Sequence, residues 1–424
     1  MSRLLWVARC VEFSALARGL APSKTIEIHA LTQRMIAAGE DVVSLSVGEP
    51  DFAPPQAVVR ATQEAARTET RYTDVAGTLA LRTKIAAHLA RRKGTRYEAS
   101  EIVVTNGAKQ AVYETVLALC GPGDEVVIPA PYWVSYPEIA KLAGATPVVV
   151  ETTLENGYKL RASSLRAAMT NRTKLLVLCN PCNPTGACLG AADLREIADV
   201  LEGFPETFVV ADEIYERLHY ETTPHTSFAA LGEDIFRRTV VINGFSKAYA
   251  MTGYRLGYLA APRPVAAVAA KIQGQLTSCA SSISQAAGLA ALDLPDDALD
   301  HHVREFKRRR DYVIARLVAM GPRILCPPPP EGAFYILPDI SPCLGLAHQK
   351  RPSSALETST AFCAALLEAR NLALVPGDAF GAPGAIRISY ATSRPLLARA
   401  MDALEAFVTK DLSPPQEPHL VSLL

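Results

Sequence analysis

Six short apolar runs in the middle of the chain limit what it can fold into. They lie at residues 102–104, 125–128, 147–150, 175–178, 208–210 and 240–242, and each is bounded by Gly, Pro, Asn or Asp, as buried strands are. Between the fourth and fifth runs, residues 191–204 place Leu194, Ile197, Ala198 and Leu201 at helical spacing. Strand, helix and strand in that order make a βαβ unit, and several in series predict an α/β fold with a mostly parallel sheet covered by helices. Ligands of such sheets sit at the carboxyl ends of the strands.

The C-terminal part changes character. Residues 332–336 and 385–390 read as strands, with helices near 359–369 and 395–408, a stiff connector at 327–330 and a polar loop at 341–354. This pattern predicts a second, smaller α+β domain. The tail from Ser413, with Pro414, Pro415 and Pro418, is expected to be loosely held. At the other end, residues 1–20 carry Arg3, Arg9 and Arg18 against Glu12, a composition like the end of an organelle transit peptide or of a frayed leader.

Charge and composition exclude several classes of function. Lys plus Arg and Asp plus Glu both number 43, so the chain lacks the basic excess that captures nucleic acid. No run approaches the ~18 apolar residues of a membrane-spanning helix. A length of 424 residues leaves room for two or three domains. The nine cysteines show no paired framework and read as reduced thiols of an intracellular protein. Cys179 and Cys182 form a C-x-x-C, but no second pair or nearby His completes a zinc site, and the prolines of Cys179-Asn180-Pro181-Cys182-Asn183-Pro184 suit a turn better than a redox helix.

The chemistry concentrates at the predicted strand ends. After the sixth run comes Gly244-Phe245-Ser246-Lys247-Ala248-Tyr249-Ala250-Met251-Thr252-Gly253-Tyr254-Arg255-Leu256-Gly257. Burial of Lys247 would lower its pKa and free its lone pair, as a Schiff-base nucleophile requires. Eight residues on, Arg255 offers a fork of donors suited to phosphate; the bland alternative is an ordinary loop Lys and Arg. Asp212 ends the fifth run, where a carboxylate can hold a heterocyclic nitrogen protonated, and Asn183 is fixed between prolines. Thr105-Asn106-Gly107-Ala108-Lys109 opens a helix whose free N–H groups suit a phosphate.

Taken together, these motifs resemble the class I aminotransferases, pyridoxal 5'-phosphate (PLP) enzymes of fold type I, over about residues 22–408. The resemblance implies that Lys247 is the Schiff-base lysine and carries the proton to and from the substrate α-carbon. Asp212 would pair with the pyridinium nitrogen. Asn183 and Tyr215 would bond the phenolic oxygen, and Trp133 would stack on the ring. Arg255 with Gly107, Ala108 and Lys109 would hold the phosphate, joined by Tyr72 from the neighbouring subunit. Arg387 and the backbone of Gly48 would take the substrate α-carboxylate. The implied architecture is a homodimer with a large PLP domain over residues 61–310 and a small domain from 1–60 and 311–424.

Within the family, Pro22-Ser23-Lys24-Thr25, Asn106-Gly107-Ala108-Lys109-Gln110, Lys271-Ile272-Gln273-Gly274-Gln275 and Pro376-Gly377-Asp378-Ala379-Phe380-Gly381 look like the plant and algal aspartate–prephenate aminotransferases and their bacterial relatives. That likeness implies aspartate or glutamate as donor, oxaloacetate or 2-oxoglutarate as acceptor, and prephenate converted to arogenate. It also implies Thr25 and Lys109 as the groups meeting a second carboxylate. Their plain alternatives are a helix cap and a solvated helix-end charge. Tyr254 and Ala21 depart from the subgroup's usual tryptophan and basic residue. An aromatic aminotransferase or a C–S lyase on the same fold stays open, and the compartment, chloroplast stroma or cytoplasm, follows the source.

Overall fold

The computed structural model describes residues 13–349 and 354–414. Most of the expected leader and tail therefore lies outside the described residues, although Ala15–Gly19 forms a short helix. The first strand, β1 (Val43–Ser44), belongs to the C-terminal part. All six expected runs are strands: β2 (Ile102–Thr105), β3 (Glu125–Ala130), β4 (Thr146–Glu151), β5 (Thr173–Cys179), β6 (Phe208–Asp212) and β7 (Thr239–Gly244). A seventh, β8 (Gly257–Ala260), completes one sheet in the order β2-β8-β7-β6-β5-β3-β4.

Burial explains why these runs fold as they do. Val240, Val241 and Ile242 of β7 are fully buried, and each side chain removed from water contributes about 1.5–3 kcal/mol. Only a sheet covered on both faces hides successive residues in this way. Edge strand β4 is the exception: Val149 is half-exposed, and Pro147 is tolerated there because an edge needs fewer ladder donors. The pairings β3–β4, β3–β5, β5–β6 and β6–β7 are parallel. Strand β8 runs antiparallel to both β2 and β7, so those two share a direction. Register places Cys179 level with Asp212, and Asp212 level with Ile242, so β5, β6 and β7 end along one edge.

The remaining strands are short. The expected strand at 332–336 shrinks to β9 (Tyr335–Ile336), because Gly332 and Ala333 give their amides to Gly186 and Leu218 instead of a ladder. The expected polar loop at 341–354 holds β10 (Ala347–His348) within its described part. β11 (Leu372–Ala373) pairs in parallel with β1, and β12 (Val375–Pro376), β13 (Ile386–Ser389) and β9 form an antiparallel sheet. β14 (Leu412–Ser413) pairs with β10, so Ser413 itself is held. Val43 and Leu45 share one apolar cluster with Phe334, Leu374, Ile388 and Met401, which unites the two ends of the chain. No helix among the described residues is long and apolar enough to cross a membrane.

Candidate active site

The strand ends open into a cavity of about 530 Å³. Lys247 follows β7 and is deeply placed, its ammonium donating to the carbonyl of Gly48. Burial lowers its pKa to about 8, with Arg387 and Arg255 adding to the effect and Glu49 and Asp212 opposing it. Asp212, at the end of β6, accepts the hydroxyl of Tyr136 at 2.7 Å and the amide of Ile214 at 3.2 Å. Burial outweighs these bonds and raises its pKa to about 6. An anion at a strand end and a depressed amine thus face one cavity, the pairing expected of a chemical site rather than a packing core.

Arg387, on β13, is buried between two rings, Tyr335 at 4.5 Å and Phe380 at 5.0 Å from centroid to guanidinium carbon. Its Nη2 donates to Ser46 O at 2.6 Å and its Nη1 to Asn183 Oδ1 at 3.1 Å. The Nε has no partner among the described residues. A guanidinium that lines the cavity and makes no ion pair among the described residues is suited to an anion. The hydroxyls of Tyr215 and Tyr335 bond each other at 2.8 Å beside it. A Cβ on Gly48 would stand 2.6 Å from Tyr335 Oη, so the close approach there requires glycine.

Across the cavity, Gly107 caps the helix Ala108–Leu119 with φ at +88°, and a Cβ there would meet Arg255 Nη2 at 2.4 Å. Arg255 itself adopts the left-handed region, φ 52°, which costs a non-glycine residue about 1–2 kcal/mol. It donates to Thr252 O at 3.0 Å and to Asn106 O at 3.4 Å. A helix start with free N–H groups and an arginine fork pressed against it form a cradle for a phosphate.

The structure brings Gly48, Ala108, Lys109, Trp133, Asn183, Asp212, Tyr215, Lys247, Arg255, Arg387 and Thr25 onto the walls of this one cavity. Tyr72 does not join them within the chain and stands 90 % exposed. Ser23 holds the N-cap position of the helix Lys24–Ala37 without a side-chain capping bond, and Thr25 lies inside the first turn, its hydroxyl bonded with Ser23 Oγ at 2.9 Å. Lys109 remains partly exposed, with its ammonium 5.0 Å from the Trp133 ring centroid. Burial, then the Arg255 charge, lower its pKa. Sequence reasoning assigned no role to Tyr136 or Tyr335. Tyr136 lies three residues after Trp133, and the helix Ser135–Leu142 brings its hydroxyl to Asp212. Tyr335 lies in the strand that pairs with β13, opposite Ser389.

A parallel-based sheet with a buried lysine, a buried carboxylate and a phosphate cradle along one edge defines a PLP enzyme of fold type I. The cradle, the depressed amine and the buried Asp212 carboxylate, which makes no ion pair among the described residues, fit that cofactor. The match is specific: residues 40–404 fit the family model for aminotransferase class I and II. The chain is 44 % identical over 401 residues to an aspartate aminotransferase of Pinus pinaster, covering 93 % of this chain and 80 % of that one. It is 43 % identical over 411 residues to a bifunctional aspartate aminotransferase and glutamate/aspartate-prephenate aminotransferase of Petunia hybrida, covering 96 % and 84 %. The crystal structure of the Rhizobium meliloti aspartate aminotransferase superposes with a TM-score of 0.90 at 39 % identity, over 95 % of this chain and all of that one. The chain belongs to the class I and II aminotransferases and is a PLP-dependent aminotransferase acting on amino acids and 2-oxo acids.

Proposed function

We propose that this enzyme exchanges the amino group of aspartate or glutamate with oxaloacetate and 2-oxoglutarate, and also aminates prephenate to arogenate. The observation that supports the reading is one cavity whose wall carries candidate groups for two carboxylates. One is Arg387, whose guanidinium lines the cavity. The other is formed by Thr25 and Lys109 on the wall contributed by the helix Lys24–Ala37 and the start of Ala108–Leu119. A hydroxyl and an ammonium make a looser cradle than a guanidinium, so dicarboxylates of different shape share it.

PLP, when bound, supplies the carbonyl that takes up the amino group and the electron sink that acidifies the α-carbon. The protein's own groups do the rest. Lys247 would anchor the cofactor and, as a free amine, is placed to carry the proton to and from the substrate α-carbon; burial, which lowers its pKa to about 8, favours the neutral base. Asp212, steadied by Tyr136, holds the ring nitrogen protonated. Asn183 and Tyr215 would bond the phenolic oxygen, Trp133 would cover the ring face, and Arg255 with Gly107, Ala108 and Lys109 would take the phosphate. Gly48 and Arg387 orient the α-carboxylate.

A homodimer belongs to this proposal. Exposed Tyr72, Val75, Leu79 and Leu276 support it, and Gln273 ties the Val75 carbonyl to the helix Arg263–Leu276. In a dimer Tyr72 serves the phosphate held by the second copy. The large domain is assigned to residues 61–310 and the small one to both chain ends.

A donor–acceptor screen that includes prephenate tests the reading. Lys109→Ala and Thr25→Val are expected to lower kcat/KM for prephenate more than for the aspartate pair, by roughly ten- to hundredfold for one charged hydrogen bond. Equal losses, or no prephenate turnover in the parent, leave a general aspartate aminotransferase. Product formation well beyond one equivalent per active site without a 2-oxo acid acceptor would favour a lyase instead.

A further inference from the structure

The helix Arg263–Leu276 supplies no wall of the main cavity, yet its inner face changes chemistry as it nears the phosphate cradle. Val265, Ala269, Gln273 and Thr277 stand four residues apart and so share one side. Val265 and Ala269 pack in one apolar cluster with Val103 and Ala111. One turn further on, another apolar side chain would continue that packing. Gln273 stands there instead, fully buried, and a buried amide is costly unless its groups are bonded. Gln273 Nε2 donates to Val104 O at 2.9 Å and to Val75 O at 2.5 Å, and its Oε1 accepts Gln110 Nε2 at 3.0 Å.

These bonds bracket the cradle. Val104 lies just before it in β2, and Gln110 just after it in the first turn of the helix Ala108–Leu119. Gln110 Nε2 also donates to Thr277 Oγ1 at 2.9 Å and to Glu114 Oε1 at 2.6 Å, so its two protons are spread over three acceptors. Thr277 Oγ1 accepts Asn106 Nδ2 at 3.2 Å as well. Asn106 in turn gives its carbonyl to Arg255 Nη2. The end of one helix thus grips both sides of residues 105–109. Gly107 and Arg255 both hold positive φ, and a strained backbone persists only where its surroundings over-determine it. Apolar contact would keep the helices together without fixing their register, because it is non-directional. Hydrogen bonds fix both.

We propose that Gln273 and Thr277 are positioning residues for the cofactor phosphate, holding the Gly107 turn and Arg255 in the shape that receives it. Neither lines the cavity, so both act through Asn106, Gln110 and the end of β2. The inference rests on the reading of this turn as the phosphate site and adds to it the groups that set its geometry. Loosening the joint leaves every phosphate donor in place but lets the turn relax, so the loss falls on the phosphate and not on the aldehyde or the ring.

The test titrates apoenzyme, prepared from the PLP-loaded enzyme, with PLP and with pyridoxal, which carries the same aldehyde and ring but no phosphate, and follows absorbance. The ratio of the two dissociation constants isolates the phosphate's share. In Gln273→Met, PLP affinity should fall roughly tenfold or more, the weight of one charged hydrogen bond, with pyridoxal affinity unchanged. Thr277→Val changes an exposed position, so it tests the same joint without disturbing the core. It should show the same selective loss, roughly two- to tenfold for one neutral bond. Arg255→Gln reads the cradle itself. If Arg255→Gln loses no more affinity for PLP than for pyridoxal, the phosphate is held elsewhere and this inference falls with the reading beneath it. If Arg255→Gln is selective while Gln273→Met or Thr277→Val keeps the parent ratio, or loses both ligands equally, the cradle stands and the proposal is overturned.

Discussion

Asp212→Asn in the cofactor-free protein separates what this carboxylate does for function from what it does to the fold. Asp212 is 4 % exposed, and burial lifts its pKa from 3.8 to about 6. A carboxyl whose folded pKa lies above its unfolded one penalises the fold wherever it is ionised. The penalty is absent below 3.8, grows as pH rises and levels off above about 6. At ~1.4 kcal/mol per pH unit, the gap amounts to about 3 kcal/mol at pH 7 and about half of that at pH 5. Asparagine keeps the shape: its carbonyl still accepts the Ile214 amide, and the Tyr136 hydroxyl rotates to accept from the new NH₂. Urea unfolding of both apoproteins at pH 5, 6, 7 and 8 should show the variant more stable, by a margin that widens with pH. Saturating PLP should reverse the order, because only the carboxylate gains a cationic partner. A margin independent of pH, or a wild-type apoprotein that is the more stable at pH 7, would refute the reasoning.

Other consequences can be checked separately. Apoenzyme should react with PLP at a rate that rises with pH and levels off above about 8, because Lys247 must lose a proton before it attacks; stopped-flow absorbance follows this directly. Gly107→Ala brings a Cβ against Arg255 and demands a disfavoured φ, so PLP affinity should fall roughly tenfold or more by equilibrium titration. Tyr335→Phe removes the hydroxyl that bonds Tyr215, an interaction worth ~1 kcal/mol, and should raise KM for amino donors several-fold with PLP still bound. Light scattering of the holoenzyme should give a dimer; a fully active monomer would remove Tyr72 from the site.

Much of this could be read from the sequence because the strands of the main sheet are buried on both faces, which writes each as a continuous apolar run. β8 was missed because Gly257 to Ala260 directly follows the lysine motif and has no helix before it. Its only signal was the run Tyr258-Leu259-Ala260-Ala261 closed by Pro262. Lys247, Asp212 and Arg255 were legible because local spacing places them at strand ends. Tyr136 and Tyr335 were not, since what they touch lies 76 and 120 residues away in the chain.

Borohydride reduction of the holoenzyme, before and after saturating aspartate without acceptor, with the adduct located by peptide mass spectrometry, bears most directly on the central claim. Before donor is added, the reduced cofactor should be found on Lys247 and on no other lysine. After donor, Lys247 should be recovered unmodified, because the amino group has passed to the cofactor and released the lysine. An adduct on another lysine, or one that persists on Lys247 after donor, would contradict the account.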